Sequence, residues 1–285
     1  MCMTFIFISD DPNSKYQLII LNNRDESLDR PTLELDWRDG ILSGIDIQDP
    51  ARGTWFGTNR SGKVGILLSI TQPASTKRKG CPSRGAIAKD FLATSNSTAQ
   101  YFEELSNKAH LYNGFQFLAL NRNDRDTYEM RSLTNMYVDD VKTRKWPPGT
   151  YVWGNSPPEK PFLKVTEGRK LFEKLVSSLN NGTKVEEIIK RLLEIATNDV
   201  KHCPDPQIAL QTGMPLEKYQ YFCSIMVEFP LDLLRYGTRS HSILIVSKEG
   251  DATFYEKRMA TPPQGDRPAE WAEKTVTFHL EQMRN

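Results

Sequence analysis

Two apolar runs near the start of the chain, Met3 to Ile8 and Tyr16 to Leu21, flank the turn-forming segment Asp10-Asp11-Pro12-Asn13-Ser14. Apolar runs of strand length around such a segment read as a β-hairpin. The second run leads into Asn22-Asn23-Arg24-Asp25-Glu26, and the first is preceded by Cys2. An antiparallel return therefore brings a thiol, a guanidinium and carboxylates to one sheet end. Removal of Met1 would add the α-amine of Cys2 to that group.

Further along, Leu42-Ser43-Gly44 and Gly53-Thr54-Trp55-Phe56-Gly57 look like strand ends and turns, and Val64 to Ile70 is a strand candidate. Residues 72–84 are polar and basic, which fits a solvated loop. Two helices are expected next: Arg84 to Ala93, with Ile87, Phe91 and Leu92 inward, and a second capped by Ser97-Thr98 that runs to about His110. Strands are expected over Phe115 to Leu120, Thr127 to Ser132 and Met136 to Val141, with Asn121-Arg122-Asn123-Asp124 as hairpin punctuation. A helical block spans Glu159 to about Asn198, broken at Asn180-Asn181-Gly182; residues 203–219 are proline-rich and loop-like. Tyr221 to Phe229, Ser242 to Lys248, Thr253 to Arg258 and Thr275 to Leu280 complete the strands, the last with Val276, Phe278 and Leu280 inward.

This order is strands, two helices, strands, two helices, strands. A doubly wound sheet would alternate strand with helix. The blocky order instead suits two packed antiparallel sheets with helix pairs outside, in one domain over residues 1–285. A net charge of +1 gives no footprint for nucleic acid, and no apolar run approaches the length of a membrane span. The first apolar run lacks a basic flank and makes a poor signal peptide. The four cysteines are too scattered for a zinc knuckle or a disulfide framework, which favours a reducing compartment.

Cys2 is the foremost chemical candidate. A terminal cysteine can use its own amine as general base, and a cation such as Arg24 would favour the thiolate. The alternative is a small buried strand residue. Asn23, Arg24, Asp25 and Glu26 could form a plain turn, or could orient an amine and hold an anion. In Trp153-Gly154-Asn155-Ser156-Pro157 the Asn155 amide could donate into an oxyanion hole, or could simply make a helix-entry turn. Arg239, in Tyr236-Gly237-Thr238-Arg239, could reach the same sheet end as a ligand anchor. His110 lies between helix and strand, where histidines usually serve structure. Cys81-Pro82 and His202-Cys203-Pro204 are Cys-Pro steps of a kind found at regulatory haem sites, though two loop dipeptides are weak signals. No phosphate loop or zinc signature is present.

These stretches occur together in a known pattern. Met1-Cys2, Asn23-Arg24-Asp25-Glu26, His110-Leu111-Tyr112-Asn113-Gly114-Phe115, Pro148-Gly149-Thr150-Tyr151, Gly154-Asn155 and Tyr236-Gly237-Thr238-Arg239 resemble, in this order and over nearly the whole chain, the Asn-Arg-Asp-Glu family. It is also called the transport and Golgi organisation 2 family. The resemblance implies an α+β, four-layer αββα sandwich like that of N-terminal-nucleophile hydrolases, whose cysteine branch includes bile-salt hydrolases and penicillin V acylases. It implies Cys2 as nucleophile, Asp25 beside its amine and Asn155 as oxyanion donor. Asn23, Arg24, Glu26, Arg239 and His110 would be ligand-binding, and Cys2, Cys203 and His202 the residues open to haem iron.

The reported biology of the family points elsewhere. It implies an intracellular carrier that mobilises haem, as cargo, from organelles to acceptors, or a role with acyl-coenzyme A and lipids as carrier or hydrolase. The expected partners are haem or an acyl lipid, organelle membranes and haem exporters, with no nucleic acid. The expected place is the cytoplasm, in association with mitochondria, Golgi or endolysosomal organelles.

Overall fold

A computed structural model describes residues 1–123 and 125–282. The hairpin forms as read: β1 (Met3–Ile8) pairs antiparallel with β2 (Tyr16–Ser27), Met3 opposite Asn23 and Ile8 opposite Leu18. β2 continues through Asn23-Arg24-Asp25-Glu26, so these residues belong to the strand and not to a turn. Six strands make the first sheet, in the order β10 (Gly149–Trp153), β1, β2, β11 (Tyr236–Ser247), β12 (Asp251–Thr261), β13 (Glu270–His279). Seven make the second, in chain order from β3 (Thr32–Arg38) to β9 (Arg144–Trp146): β4 (Ile41–Asp46), β5 (Phe56–Asn59), β6 (Val64–Ser69), β7 (Phe115–Arg122) and β8 (Tyr128–Thr134) lie between them. All described strand pairings are antiparallel.

The unbroken apolar runs follow from burial on both faces. Ile6, Ile8, Leu18 and Ile20 meet Ile66, Leu68, Leu118 and Leu120 between the sheets. Met3, Phe5, Ile19 and Leu21 face the other way, onto α3 (Leu163–Ser177) and α4 (Val185–Ala196). Phe115, Phe117 and Ala119 pack under α1 (Gly85–Ala93) and α2 (Thr98–Lys108), the latter started by a Ser97–Gln100 capping box. Three apolar cores thus separate four layers, αββα. No described helix is long and apolar enough to cross a membrane.

Several expected elements differ. Met136 to Val141 is a series of bends with Tyr137 at φ 58°, and the strand begins only at Arg144. Two adjacent acids and an exposed Tyr137 leave that run no face to bury. Asp124, in the expected hairpin turn, lies outside the described residues. Residues 203–219 hold two helices, α5 (Pro206–Thr212) and α6 (Leu216–Tyr219). Asp205 caps α5 through the N–H groups of Gln207 and Ile208, and Pro206 occupies the first turn, where a missing N–H costs nothing. Tyr221 to Phe229 is an irregular strap with one bridge, Glu228 to Gly237. Its aromatic residues pack on each other and on Tyr236, and its backbone bonds go to separate elements such as Asn198. In β13 the inward set is as read: Val276 and Phe278 pack between the sheets and Leu280 is buried.

The second sheet and α1 meet through a backbone contact. A Cβ on Gly53 would run into the Gly85 carbonyl, and Thr54 N–H donates to that carbonyl at 3.3 Å. Gly53→Ala is therefore expected to destabilise the fold by about 1–3 kcal/mol, read as a lower denaturant midpoint at unchanged slope.

Candidate active site

The β1–β2 register fixes the site. Carried past Met3, the count sets Cys2 against Arg24 and Met1 against Asp25. Side chains alternate across the sheet, so Cys2 and Arg24 point between the sheets while Met1 and Asp25 point to the helix side. The Cys2 Sγ lies at the strand edge, accepting from Asp25 N–H at 3.4 Å and 3.7 Å from the Asp25 carbonyl oxygen. The Met1 ammonium lies 3.2 Å from Asp25 Oδ2 and donates to the Tyr236 hydroxyl at 2.6 Å. Tyr236 in turn donates to the Asp25 carbonyl, and Thr238 Oγ1 donates to Asp25 Oδ1 at 2.6 Å. Asp25 is thus a buried carboxylate dedicated to an N-terminal amine.

These groups border a cavity of about 430 Å³ between the sheet ends. Cys2, Arg24, Asp25, Glu26 and Asn155 all line it. So do Trp55, Leu67, Ile70, Phe222 and Leu234, which supply apolar walls. Arg24 stacks over Trp55 at 4.3 Å and shares Asp46 with Arg30, while Glu26 stands 4.0 Å from Arg24. Arg84 also lines the cavity; its guanidinium donates to the Gly114 carbonyl, and among the described residues it has no carboxylate within ion-pair distance. Burial lowers its pKa, with Glu26 opposing.

Arg24 does not leave Cys2 as a thiolate. Burial pushes the thiol above its usual range; the terminal ammonium is the chief opposing influence and Arg24 the least. A base is therefore needed to activate it. Asn155 donates one side-chain N–H to the Ser69 carbonyl; the second N–H and the buried Oδ1 have no partner among the described residues. The Asn155 backbone carbonyl accepts from Thr71 N–H and from the Gln211 side-chain amide.

The remaining expected residues lie elsewhere. Asn23 faces the helices, where its amide donates to the Ala196 and Ile225 carbonyls and accepts from His241 Nδ1 at 2.8 Å. Arg239 braces the chain after β2 through the Ser27 and Arg30 carbonyls and does not line the cavity. His110 is exposed at the end of α2. His202 and Cys203 sit on an outer loop, His202 N–H bonded to the Cys223 carbonyl. These positions follow from strand alternation and from loop placement, neither of which the motif spacing encodes.

Sequence reading missed Tyr236, Thr238, Arg84, Trp55 and Lys164. Lys164 had a signal: it falls on the buried stripe of α3 with Gly168, Phe172 and Leu175. Its ammonium, wholly buried, donates to the Met1 carbonyl at 3.3 Å and the Ser224 carbonyl at 3.0 Å.

A family model described as Transport and Golgi organisation 2 matches residues 1–261. The human protein named Transport and Golgi organization protein 2 homolog is 31% identical over 99% of this chain and all of its own length. The mouse homolog is 30% identical with the same coverage, and the Drosophila melanogaster protein 29% identical over 93% of this chain and 95% of its own. Among solved structures, two forms of a conjugated bile acid hydrolase from Clostridium perfringens align at TM-scores of 0.50 and 0.51. They cover 99% and 100% of this chain, and 97% and 99% of theirs, at 9% and 10% identity. The fold is that of the N-terminal-nucleophile hydrolases.

Two outcomes test the electrostatics of the site and of the buried Asn23–His241 pair beside it. Asp25→Asn strands a buried ammonium, and an expected loss of about 3–5 kcal/mol would show in the denaturant midpoint. His241, stacked on Trp271, is pushed down to about 4 by burial, with Lys257 adding to the effect. It is neutral in the fold and titrates near 6.5 when unfolded, so its contribution is complete above about 6.5 and is lost as pH falls towards 4. His241→Gln should flatten that part of the stability–pH curve, by up to about 3 kcal/mol, in denaturation series run between these pH values.

Proposed function

The chain belongs to the Transport and Golgi organisation 2 family, and from that premise we propose that it is an N-terminal cysteine hydrolase of acyl compounds, cleaving an amide or thioester bond in the form that begins at Cys2. One observation carries this reading: the Cys2 thiol, a carboxylate already holding a chain-terminal amine, and the Asn155 amide border one cavity. The hydrolase name of the structural neighbours supports it.

The reaction runs in two halves. The Cys2 α-amine takes the thiol proton as sulfur attacks the acyl carbon, and the carbonyl oxygen gains a negative charge that the free Asn155 N–H meets. Collapse breaks the C–N or C–S bond, and the proton held by the amine passes to the leaving amine or thiolate. Water then attacks the Cys2 thioester, giving up a proton through the same amine. The acid departs and the thiol is restored. Apolar walls at Trp55, Leu67 and Phe222 suit an acyl chain, and Arg84 suits an anionic group on the substrate.

A second reading rests on Met1. Its buried amine is already paired with Asp25, and in that form no free amine stands beside the thiol. The same cavity would then serve as a carrier site for haem, its propionates met by arginine, or for an acyl lipid such as acyl-coenzyme A. Its place would be the cytoplasm, in contact with organelle membranes and haem exporters.

Intact mass of the protein from its own cells, before and after incubation with acyl-coenzyme A and an acid quench, separates the two. The hydrolase reading expects a Met1-free chain that gains one acyl mass on Cys2 and loses it with time, and no gain in Cys2→Ala. A Met1-bearing chain that takes up haem with no acylation would establish the carrier reading in its place.

A further inference from the structure

We propose that Lys164 is a positioning residue of the N-terminal site: it binds the carbonyl of the Met1–Cys2 peptide and, in a chain that begins at Cys2, stands beside the α-amine and favours its neutral, proton-accepting form. This rests on the hydrolase reading above and adds the element that sets its base.

The geometry is specific. Gly168 lets α3 press onto β1, where a Cβ would stand 3.1 Å from Phe5 and 3.3 Å from Met3. One turn earlier, Lys164 reaches over the end of β1 to the Met1 and Ser224 carbonyls. The Met1 carbonyl carbon also carries the Cys2 nitrogen, which places that nitrogen within about 5.5 Å of Nζ. Burying a lysine is costly, and a neutral amide could tie two carbonyls at less expense. A cation at this point instead acts on whatever titrates beside it.

The groups that face the amine come from β2, β11, α3 and the Cys2 thiol itself. Asp25 on β2 pairs with the Met1 ammonium and Tyr236 on β11 accepts from it, and both would face the amine of a chain that begins at Cys2. Arg24 on β2 and the Cys2 thiol stand on the inter-sheet side. Lys164 on α3 opposes Asp25. Around Lys164 itself lie Asp25, Cys2, Cys223 and Asp205, and burial lowers its pKa against all four. Asp25 alone would favour the charged form of a terminal amine. A second ammonium within about 5.5 Å opposes that charge and favours the neutral amine. Asp25 and Lys164 thus act on the amine in opposite directions, and Lys164 favours its neutral state. That state is the one needed to accept the thiol proton.

The test reads the amine directly, without turnover. A fusion is cleaved to leave a chain that begins at residue 2 and carries Cys2→Ser, so that no thiol competes there. Its α-amine is labelled with acetic anhydride across pH 6–10 and the N-terminal peptide is quantified by mass spectrometry. With Lys164 in place the midpoint is expected at or below about 8, and Lys164→Met is expected to raise it by about one to two pH units. Equal midpoints in the two chains would overturn the proposal. If Lys164→Met does not fold, the Lys164 chain decides alone, since a midpoint a full pH unit above the ordinary range means Asp25 acts unopposed. A raised midpoint in Lys164→Met supports the assignment even where native Cys2 takes no acyl group, an outcome that removes only the hydrolase reading.

Discussion

The pairing of β1 with β2 is the constraint on which the site depends. Met3 stands opposite Asn23, and that single register sets the thiol, the terminal amine and their partners. A slip of one residue would put Cys2 and Arg24 on opposite faces of the sheet. Such a slip is strongly opposed, because β1 and β2 bury apolar side chains on both faces. Ile6 and Ile20 belong to one core, Phe5 and Leu21 to another. The hydrophobic cores thus hold the geometry of the candidate site as well as the fold.

The second determinant is how charge is arranged once those cores exclude water. Arg24 and Arg30 are matched to Asp46, and Asp25 to the terminal ammonium. Arg84 and Lys164 are left without carboxylate partners at ion-pair distance among the described residues. Each unmatched cation borders the cavity or the residue before Cys2, where a substrate anion or a titrating amine would feel it most. Burial keeps the thiol protonated, which makes an adjacent base the critical component of any acyl-transfer chemistry.

Much of the architecture was legible because it is local. Long apolar runs announced β1, β2, β6 and β7; the Ser97-Thr98 cap announced α2; the break at Asn180-Asn181-Gly182 separated α3 from α4. Asp205-Pro206 is a helix start hidden in a proline-rich stretch. The irregular strap at 221–229 has the composition of a strand, yet its hydrogen bonds go to several distant elements. Within the site, Cys2, Asp25 and Asn155 were legible as residue types near strand ends. Asn23 was not separable from Arg24 by spacing, since only strand alternation sends one to the helices and its neighbour to the cavity.

The sequence by itself determined the two-sheet, helix-flanked order, the hairpin that returns Asn23 to Glu26 beside Cys2, and the absence of any apolar run long enough to span a membrane. These follow from periodicity and turn chemistry, which act over a few residues. Tertiary structure alone decided that Tyr236 and Thr238 complete the shell of Asp25, that Arg239 braces a loop, and that Lys164 meets the Met1 carbonyl 163 positions away. Those contacts join segments from different layers. Their distances are set by how the layers pack, and no local pattern carries that information.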